Sequence, residues 1–322
     1  MHPPRLLLLA LLLCVTPALA AAPPIIELDG GIRVLAGRFV PGSQPDGNTV
    51  VLEGSDGVIV FDTGRHLEHT QAVADLAQRL DKPLAAIVNS HWHLDHVGGN
   101  VLLRQRYPQA KVYASDAIAA AQVGFLASYR SQLQQALATE SDPAQRSAFE
   151  AEIALIDAGK QLEPDHVLED AVVERRIGGR DLRLGLVRGA ATAGDVWLLD
   201  VQTRTLASGD LVTLPVPLLD TACPSGFAAG LAELAKIDFS TLVPGHGAPM
   251  QRAQFERYQR AYRKLLTCAA SDRSNAQCGS AWLSDVGDLV PDAEHAFAQR
   301  LLDYYLEQVL RPGAPGAGKY CN

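Results

Sequence analysis

Short apolar runs, punctuated by Gly, Asp and Pro, divide the chain into strands and helices. Ile32–Leu35, Thr49–Glu53 and Val58–Phe61 have strand length and composition, with turn residues between them. Val58-Ile59-Val60-Phe61 is continuously apolar, as a strand covered on both faces would be, and it runs into Asp62-Thr63-Gly64. Thr70 to Leu80 places Val73, Leu76 and Leu80 on one helical face, and Pro83 ends that pattern. Leu84–Val88 reads as another buried strand, Val97 to Tyr107 as a helix and Lys111–Ala114 as the next strand. Residues 117–161 are helical in period and rich in Ala, Gln and Glu; Pro143 opens a second helix within them. This stretch reads as a surface insertion, or alternatively as a lid over a site. Strands return at Val172–Ile177, Leu182–Val187, Asp195–Leu199 and Arg204–Ala207. Helices near Ala228–Lys236 and Gln251–Leu266 flank the strand and turn from Leu242 to Gly247, and a last helix runs from about Asp292 to Val309. Two sets of strands, each followed by helices, predict an α/β fold of two sheets packed face to face with helices outside, a four-layer αββα sandwich.

The ends read differently. Met1 to Arg5 is a short basic start, Leu6 to Val15 is almost unbroken apolar sequence, and Ala18-Leu19-Ala20 offers small residues for cleavage. Residues 1–20 are therefore expected to be a secretory signal, too short for a comfortable membrane span. Residues 21–310 form the expected domain, and residues 311–322 a Gly- and Pro-rich tail, mobile up to Cys321.

Cysteine usage and charge narrow the picture. Without the signal the chain keeps Cys223, Cys268, Cys278 and Cys321, an even set that suits disulfides in an oxidising compartment. Of the three connectivities open to them, Cys268–Cys278 is favoured because it closes a polar loop, which leaves Cys223–Cys321. No C-x-x-C pair supports a cysteine metal site. The net charge of −8, more negative once Arg5 is removed, argues against a nucleic-acid partner. No later segment is apolar for long enough to insert stably in a membrane. The expected location is periplasmic or secreted.

Chemistry concentrates in His91-Trp92-His93-Leu94-Asp95-His96. On an extended turn His91 and His93 share a face, while Asp95 and His96 open the following helix toward a neighbouring position. The run offers two adjacent metal pockets, one of imidazoles and one mixing carboxylate with imidazole. Such donors suit zinc, and also iron or manganese. Trp92 and Leu94 alternate with these residues and should pack beneath the loop.

This run resembles the H-x-H-x-D-H signature of the metallo-β-lactamase superfamily, and further motifs follow in that family's order. Asp62-Thr63-Gly64 is similar to a buried turn that supports the histidine loop. Ser208-Gly209-Asp210-Leu211 is similar to a strand end whose aspartate bridges two metals, and Val243-Pro244-Gly245-His246-Gly247 to the turn carrying the last histidine. The resemblance implies His91, His93, Asp95, His96, Asp210 and His246 as metal residues, Asp62 and Thr192 as their supports, and Asp95 as catalytic. One element departs. Where the family carries H-T-x-G-D, this chain has Ala191-Thr192-Ala193-Gly194-Asp195. A methyl group cannot bind a metal, so the pocket of His91 and His93 lacks its third imidazole. His66, just after the Asp62 turn, is the candidate stand-in.

The resemblance implies an exported metal-dependent hydrolase, with one or two zinc ions per chain, that uses metal-bound water on a small ester, thioester, lactone or amide. In organisation it also extends to zinc metallohydrolases associated with periplasmic quinoprotein systems. Two alternatives stay open. One is a non-catalytic, metal-stabilised binding protein in a periplasmic redox pathway. The other is a β-lactamase, disfavoured because cysteine or serine is typical there at the Asp210 position.

Overall fold

Alternation along the buried strands decides how the layers stack. In Val58–Phe61 all four side chains are buried. Ile59 and Phe61 face the second sheet, while Val58 and Val60 face helices on the outside. A computed structural model describes residues 23–39 and 43–321 in this way; the expected signal at 1–20 lies outside them.

The first sheet has seven strands in chain order: β1 (Ile25–Leu28), β2 (Ile32–Leu35), β3 (Thr49–Glu53), β4 (Val58–Phe61), β5 (Leu84–Val88), β6 (Lys111–Ala114) and β7 (His166–Val167). Pairing is antiparallel up to β4 and parallel from β4 to β7. The second sheet holds β8 (Val172–Ile177), β9 (Arg180–Val187), β10 (Asp195–Asp200), β11 (Thr205–Ala207), β12 (Thr241–Val243) and β13 (Met250–Gln251). Only β11 and β12 run parallel there. Leu52, Ile59 and Phe61 meet Leu184, Val196 and Leu198 between the sheets. Helices α1 (Leu67–Arg79), α2 (Leu94–Val97) and α3 (Asn100–Arg106) follow strands of the first sheet, and Val73, Ala77 and Leu103 pack on its outer face. Next come α4 (Ala117–Val123), α5 (Phe125–Thr139) and α6 (Pro143–Asp157), then α7 (Pro224–Leu234), α8 (Arg252–Ala269), α9 (Asn275–Val286) and α10 (His295–Tyr305), whose apolar residues join one cluster outside the second sheet. The result is the four-layer αββα sandwich.

Three segments depart from the sequence reading. The helix expected from Val97 to Tyr107 breaks at Gly98-Gly99, because the backbone there lies against the Asp62–Gly64 turn. A Cβ on Gly99 would meet the Thr63 carbonyl oxygen at 2.3 Å. Helix α9 starts within the stretch read as a polar loop, Ser274 and Gln277 forming a reciprocal capping box. Residues 311–321, expected as a mobile tail, instead form consecutive turns. Arg311 donates to the carbonyl oxygens of Ala269, Ser271 and Arg273, and Cys321 is bonded to Cys223. Cys268 is bonded to Cys278.

One buried cation joins the sheets. Arg180 of β9 donates to the carbonyls of Glu53 and Gly30 and ion-pairs with buried Asp200 at 2.9 Å. Removing one partner of a buried pair costs about 3–5 kcal/mol, because the other charge is left uncompensated. Arg180→Met is expected to lower unfolding stability by about that amount, and adding Asp200→Asn should recover part of it. Urea unfolding with disulfides intact measures both.

Candidate metal centre

Strand ends and tight turns carry the residues that meet here. Asp62 follows β4 with φ of 59°, a left-handed conformation that Asp tolerates better than most residues. This turn points a fully buried carboxylate at the histidine loop. Asp62 Oδ1 accepts from Ser90 N at 2.7 Å; Oδ2 accepts from Ser90 Oγ at 2.7 Å and lies 2.8 Å from His96 Nδ1. An ionised carboxylate only accepts, so the His96 proton sits on Nδ1 and its Nε2 lone pair is free. Ser90 has spent its one hydroxyl proton on Asp62, so its oxygen accepts from His91 Nδ1 at 2.9 Å. His91 Nε2 is thereby freed as well.

Two overlapping groups form around these lone pairs: His91, His96 and Asp210, and Asp95, His96 and His246. Asp95 Oδ2 lies 3.4 Å from His96 Nε2 and 3.1 Å from His246 Nε2. Asp210 Oδ1 lies 3.2 Å from His96 Nε2 and 3.6 Å from His246 Nε2, and its Oδ2 lies 3.7 Å from His91 Nε2. Asp210 follows β11 and His246 follows β12, and the parallel pairing of these strands sets both turns side by side. Gly245 is required for that approach, since a Cβ there would meet Asp210 Oδ1 at 2.0 Å.

The electrostatics call for a cation. His91 Nε2, His96 Nε2, His246 Nε2 and Asp210 Oδ1 are buried without a hydrogen-bond partner among the described residues. Burial would lower the His96 pKa, but Asp210, Asp95 and Asp62 overcome it and hold it well above the usual value, so they favour a positive charge at Nε2, whether a proton's or a metal's. His91 goes the other way, pushed well down by burial and by the charges of His96 and His93. Burial would raise Asp95, yet the charge of His96 and the adjacent His246 imidazole hold it well below the ordinary carboxylate range. Clustered carboxylates and unpartnered imidazole nitrogens are the donor set a divalent metal takes, and the mixture of N and O fits zinc, iron or manganese.

His93 stands apart. Its Nε2 lies 2.8 Å from Thr221 Oγ1, and Thr221 donates its hydroxyl proton to the Ala191 carbonyl at 3.1 Å. The hydroxyl oxygen is then the acceptor, so the His93 proton sits on Nε2, the opposite tautomer to His91 and His96. Ala191 itself is buried. Thr221, which no local motif marks, thus links His93 to the backbone of Ala191. The other expected support, Thr192, donates from its backbone N and Oγ1 to Asp195. That aspartate is pushed up to about 7 by burial, against the Thr192 bonds and with the Asp210 charge adding to the rise. His66 lies outside both groups, with Nδ1 2.8 Å from Asp46 Oδ2.

Arg65 is a further residue that spacing could not single out. Its guanidinium lies 3.4 Å from Asp95 Oδ1 and 2.7 Å from Glu152 Oε2 on α6, and Tyr129 of α5 donates to the same Glu152 oxygen at 3.2 Å. Trp92, expected only as support beneath the loop, packs with α4–α6 and also lines the cavity above Asp95.

A family model described as the metallo-beta-lactamase superfamily matches residues 43–246. The chain belongs to the metallo-beta-lactamase superfamily. Among curated relatives, a linear primary-alkylsulfatase from Pseudomonas sp. is 31% identical over 112 residues, covering 34% of this chain and 16% of the relative. A hydroxyacylglutathione hydrolase from Synechococcus sp. (strain JA-3-3Ab) is 51% identical over 47 residues, covering 15% of this chain and 19% of the relative. The matched stretches are thus a small part of either relative. Among solved structures, the stereoselective inverting sec-alkylsulfatase Pisa1 from Pseudomonas sp. has a TM-score of 0.60 at 18% identity, covering 87% of this chain and 50% of that one. A metallo-beta-lactamase from Pontibacter korlensis has a TM-score of 0.54 at 17% identity, covering 75% and 99%. These likenesses show the fold.

Losing a partner that orients a ligand typically weakens metal binding by about 10–100-fold. Asp62→Asn is therefore expected to lower zinc affinity by about that factor while far-ultraviolet circular dichroism stays unchanged; chelator competition reads it. The double change Ala191→His with Thr221→Ala frees His93 and adds an imidazole beside it. Elemental analysis should then find a second zinc per chain, and an unchanged zinc content would refute the role given to Thr221.

Proposed function

We propose that this protein is an exported metal-dependent hydrolase that holds zinc on Asp95, His96 and His246, with Asp210 alongside, and cleaves a small ester, thioester, lactone or amide. The observation that carries this reading is the set of buried, unpartnered imidazole nitrogens around two carboxylates at one end of a cavity of about 410 Å³. A bound divalent metal supplies Lewis acidity and lowers the pKa of water.

The chain's own residues provide the rest. Asp62 and Ser90 hold His96 and His91 in one tautomer and orientation, so that their Nε2 atoms converge. Asp95 divides its carboxylate: Oδ1 faces Arg65, and Oδ2 faces the cluster, where it would hold the metal beside His96 and His246. His93 lines the same cavity and, anchored on Thr221, orients what enters it. Hydrolysis also agrees with the activities named for the alkylsulfatase and hydroxyacylglutathione hydrolase relatives.

Export is supported by the apolar leader read in residues 1–20 and by two disulfides, which suit an oxidising compartment. Among the described residues no helix is long and apolar enough to cross a membrane. The alternative of a metal-stabilised binding protein draws on one observation, the diversion of His93 onto Thr221.

The two readings separate by measurement. Zinc-loaded, disulfide-intact protein should turn over at least one member of a panel of thioester, lactone, carboxylic ester, sulfate ester and β-lactam substrates. Asp95→Ala should lose both zinc and turnover. Zinc binding without turnover across the panel would favour the binding protein, and wild-type turnover by Asp95→Ala would sink the hydrolase mechanism.

A further inference from the structure

The cavity beside the metal-ligating groups has a chemistry of its own. On one side Trp92 of the histidine loop lies 5.2 Å, centroid to centroid, from Phe125 of α5. Phe39, from the segment after β2, lies 5.7 Å from Phe297 of α10 and 5.0 Å from the His246 ring. All four aromatic residues line the same cavity, together with Leu218 and Leu301. Separate elements thus supply apolar and aromatic side chains to a single site that ends at Asp95 and Asp210. Phe39 and Phe125 are 36% and 40% exposed, so part of this surface faces solvent at the mouth.

The charges of the cavity decide what it admits. Among the described lining residues Arg65 is the one cation, and Asp95, Asp210 and Asp220 are the anions. A divalent metal at the centre balances Asp95 and Asp210. Arg65 is already met by Glu152 at 2.7 Å and by Asp95 at 3.4 Å, so it offers no spare positive charge to a ligand. Arg300, whose guanidinium lies 5.9 Å from the Phe297 ring centroid, is exposed and does not line the cavity. Asp220 is left over. Its Oδ2 accepts from the buried Tyr305 hydroxyl at 2.7 Å, and it is exposed and not ion-paired among the described residues.

We infer that the substrate of this site is electrically neutral, with an apolar or aromatic body, and that molecules bearing a carboxylate on that body are rejected. The inference rests on the hydrolase reading and narrows it. An anionic body would lose its hydration among aromatic walls, would find no free cation among the described lining residues, and would face Asp220. Like charges brought together at a binding site oppose binding. A neutral aryl or alkyl group loses nothing polar on entry and gains the hydrophobic contact. Glutathione thioesters and carboxylate-bearing lactams fall in the rejected class. Neutral esters, thioesters and lactones fall in the accepted one.

The test uses zinc-loaded full chain and two matched esters, para-nitrophenyl phenylacetate and the para-nitrophenyl ester of para-carboxyphenylacetic acid. The neutral ester is expected to show kcat/KM about ten-fold higher or more, with the difference carried by KM. Asp220→Asn should narrow the gap by improving the anionic ester alone. Phe125→Ala should raise KM for the neutral ester and leave kcat nearly unchanged. Equal or faster turnover of the anionic ester overturns the inference. If neither ester reacts, and the wider panel is also inert, the hydrolase reading fails and binding decides. Quenching of Trp92 fluorescence, isolated by comparison with Trp92→Phe, is then titrated with para-methylphenylacetamide and para-carboxyphenylacetamide. Tighter binding of the neutral amide supports the inference, and equal or tighter binding of the anionic one overturns it.

Discussion

The buried carboxylate of Asp62 governs the geometry of this centre. It accepts the backbone N–H of Ser90, the Ser90 hydroxyl and the His96 imidazole. Through Ser90 it also dictates the proton on His91. One acceptor therefore fixes two imidazoles in the same tautomer, with both free nitrogens directed at the same volume. Burial raises the Asp62 pKa, opposed by the charge and hydrogen bond of His96 and by the two Ser90 bonds. A neutral side chain of the same shape could not accept at every one of these positions, which is why the left-handed turn must end in a carboxylate.

The third histidine of the loop shows the same logic with the opposite outcome. His93 has no carboxylate behind it. Its Nε2 proton goes to Thr221, whose own proton is spent on the carbonyl of Ala191. The hydroxyl at 221 thus uses the backbone carbonyl of Ala191, whose methyl side chain offers nothing to His93. This hydrogen-bond chain leaves His93 as a donor held firmly in one direction. His93 differs from His91 and His96 in which nitrogen carries the proton, and that difference is set by the oxygen acceptors each ring meets.

How much of this was legible in the sequence follows from the range of each interaction. Val58–Phe61 reads as buried on both faces because every residue is apolar, and the structure divides it evenly between the inter-sheet core and the outer helices. β1 escaped the pattern because Ile25–Leu28 alternates between exposed and half-buried positions at a sheet edge. Helix α9 escaped it although Ser274 and Gln277 carry a capping box at the spacing that announces a helix start; the polar residues around them read as loop. Within the site, residues contributed by one turn were legible as motifs. Thr221 reaches His93 across 128 positions, and Glu152 reaches Arg65 across 87. No spacing rule encodes contacts of that kind; they exist only once the sheets have set the turns beside one another. Fold and cluster are local patterns assembled by topology, whereas the supports that distinguish this chain are products of the assembly.

The helices α4–α6 join the centre through one of those supports. Glu152 and Tyr129 belong to helices with largely exposed outer faces, yet Glu152 itself is buried and ion-paired with Arg65. Burial and the Glu152 carboxylate push Tyr129 up to about 12, so its hydroxyl stays a donor to that carboxylate. Arg65 in turn takes one oxygen of Asp95, leaving the other to the imidazoles. Burying a cation between two carboxylates is tolerable only when both are held in place, because desolvation would otherwise dominate. The packing of Leu126, Leu133 and Ile156 with Trp92 and Leu94 holds them. The same contact that seats these helices on the domain therefore orients the carboxylate at the heart of the cluster. It also explains why the aromatic wall on Phe125 and the Asp95 carboxylate bound a single cavity: both are consequences of one docked helix pair.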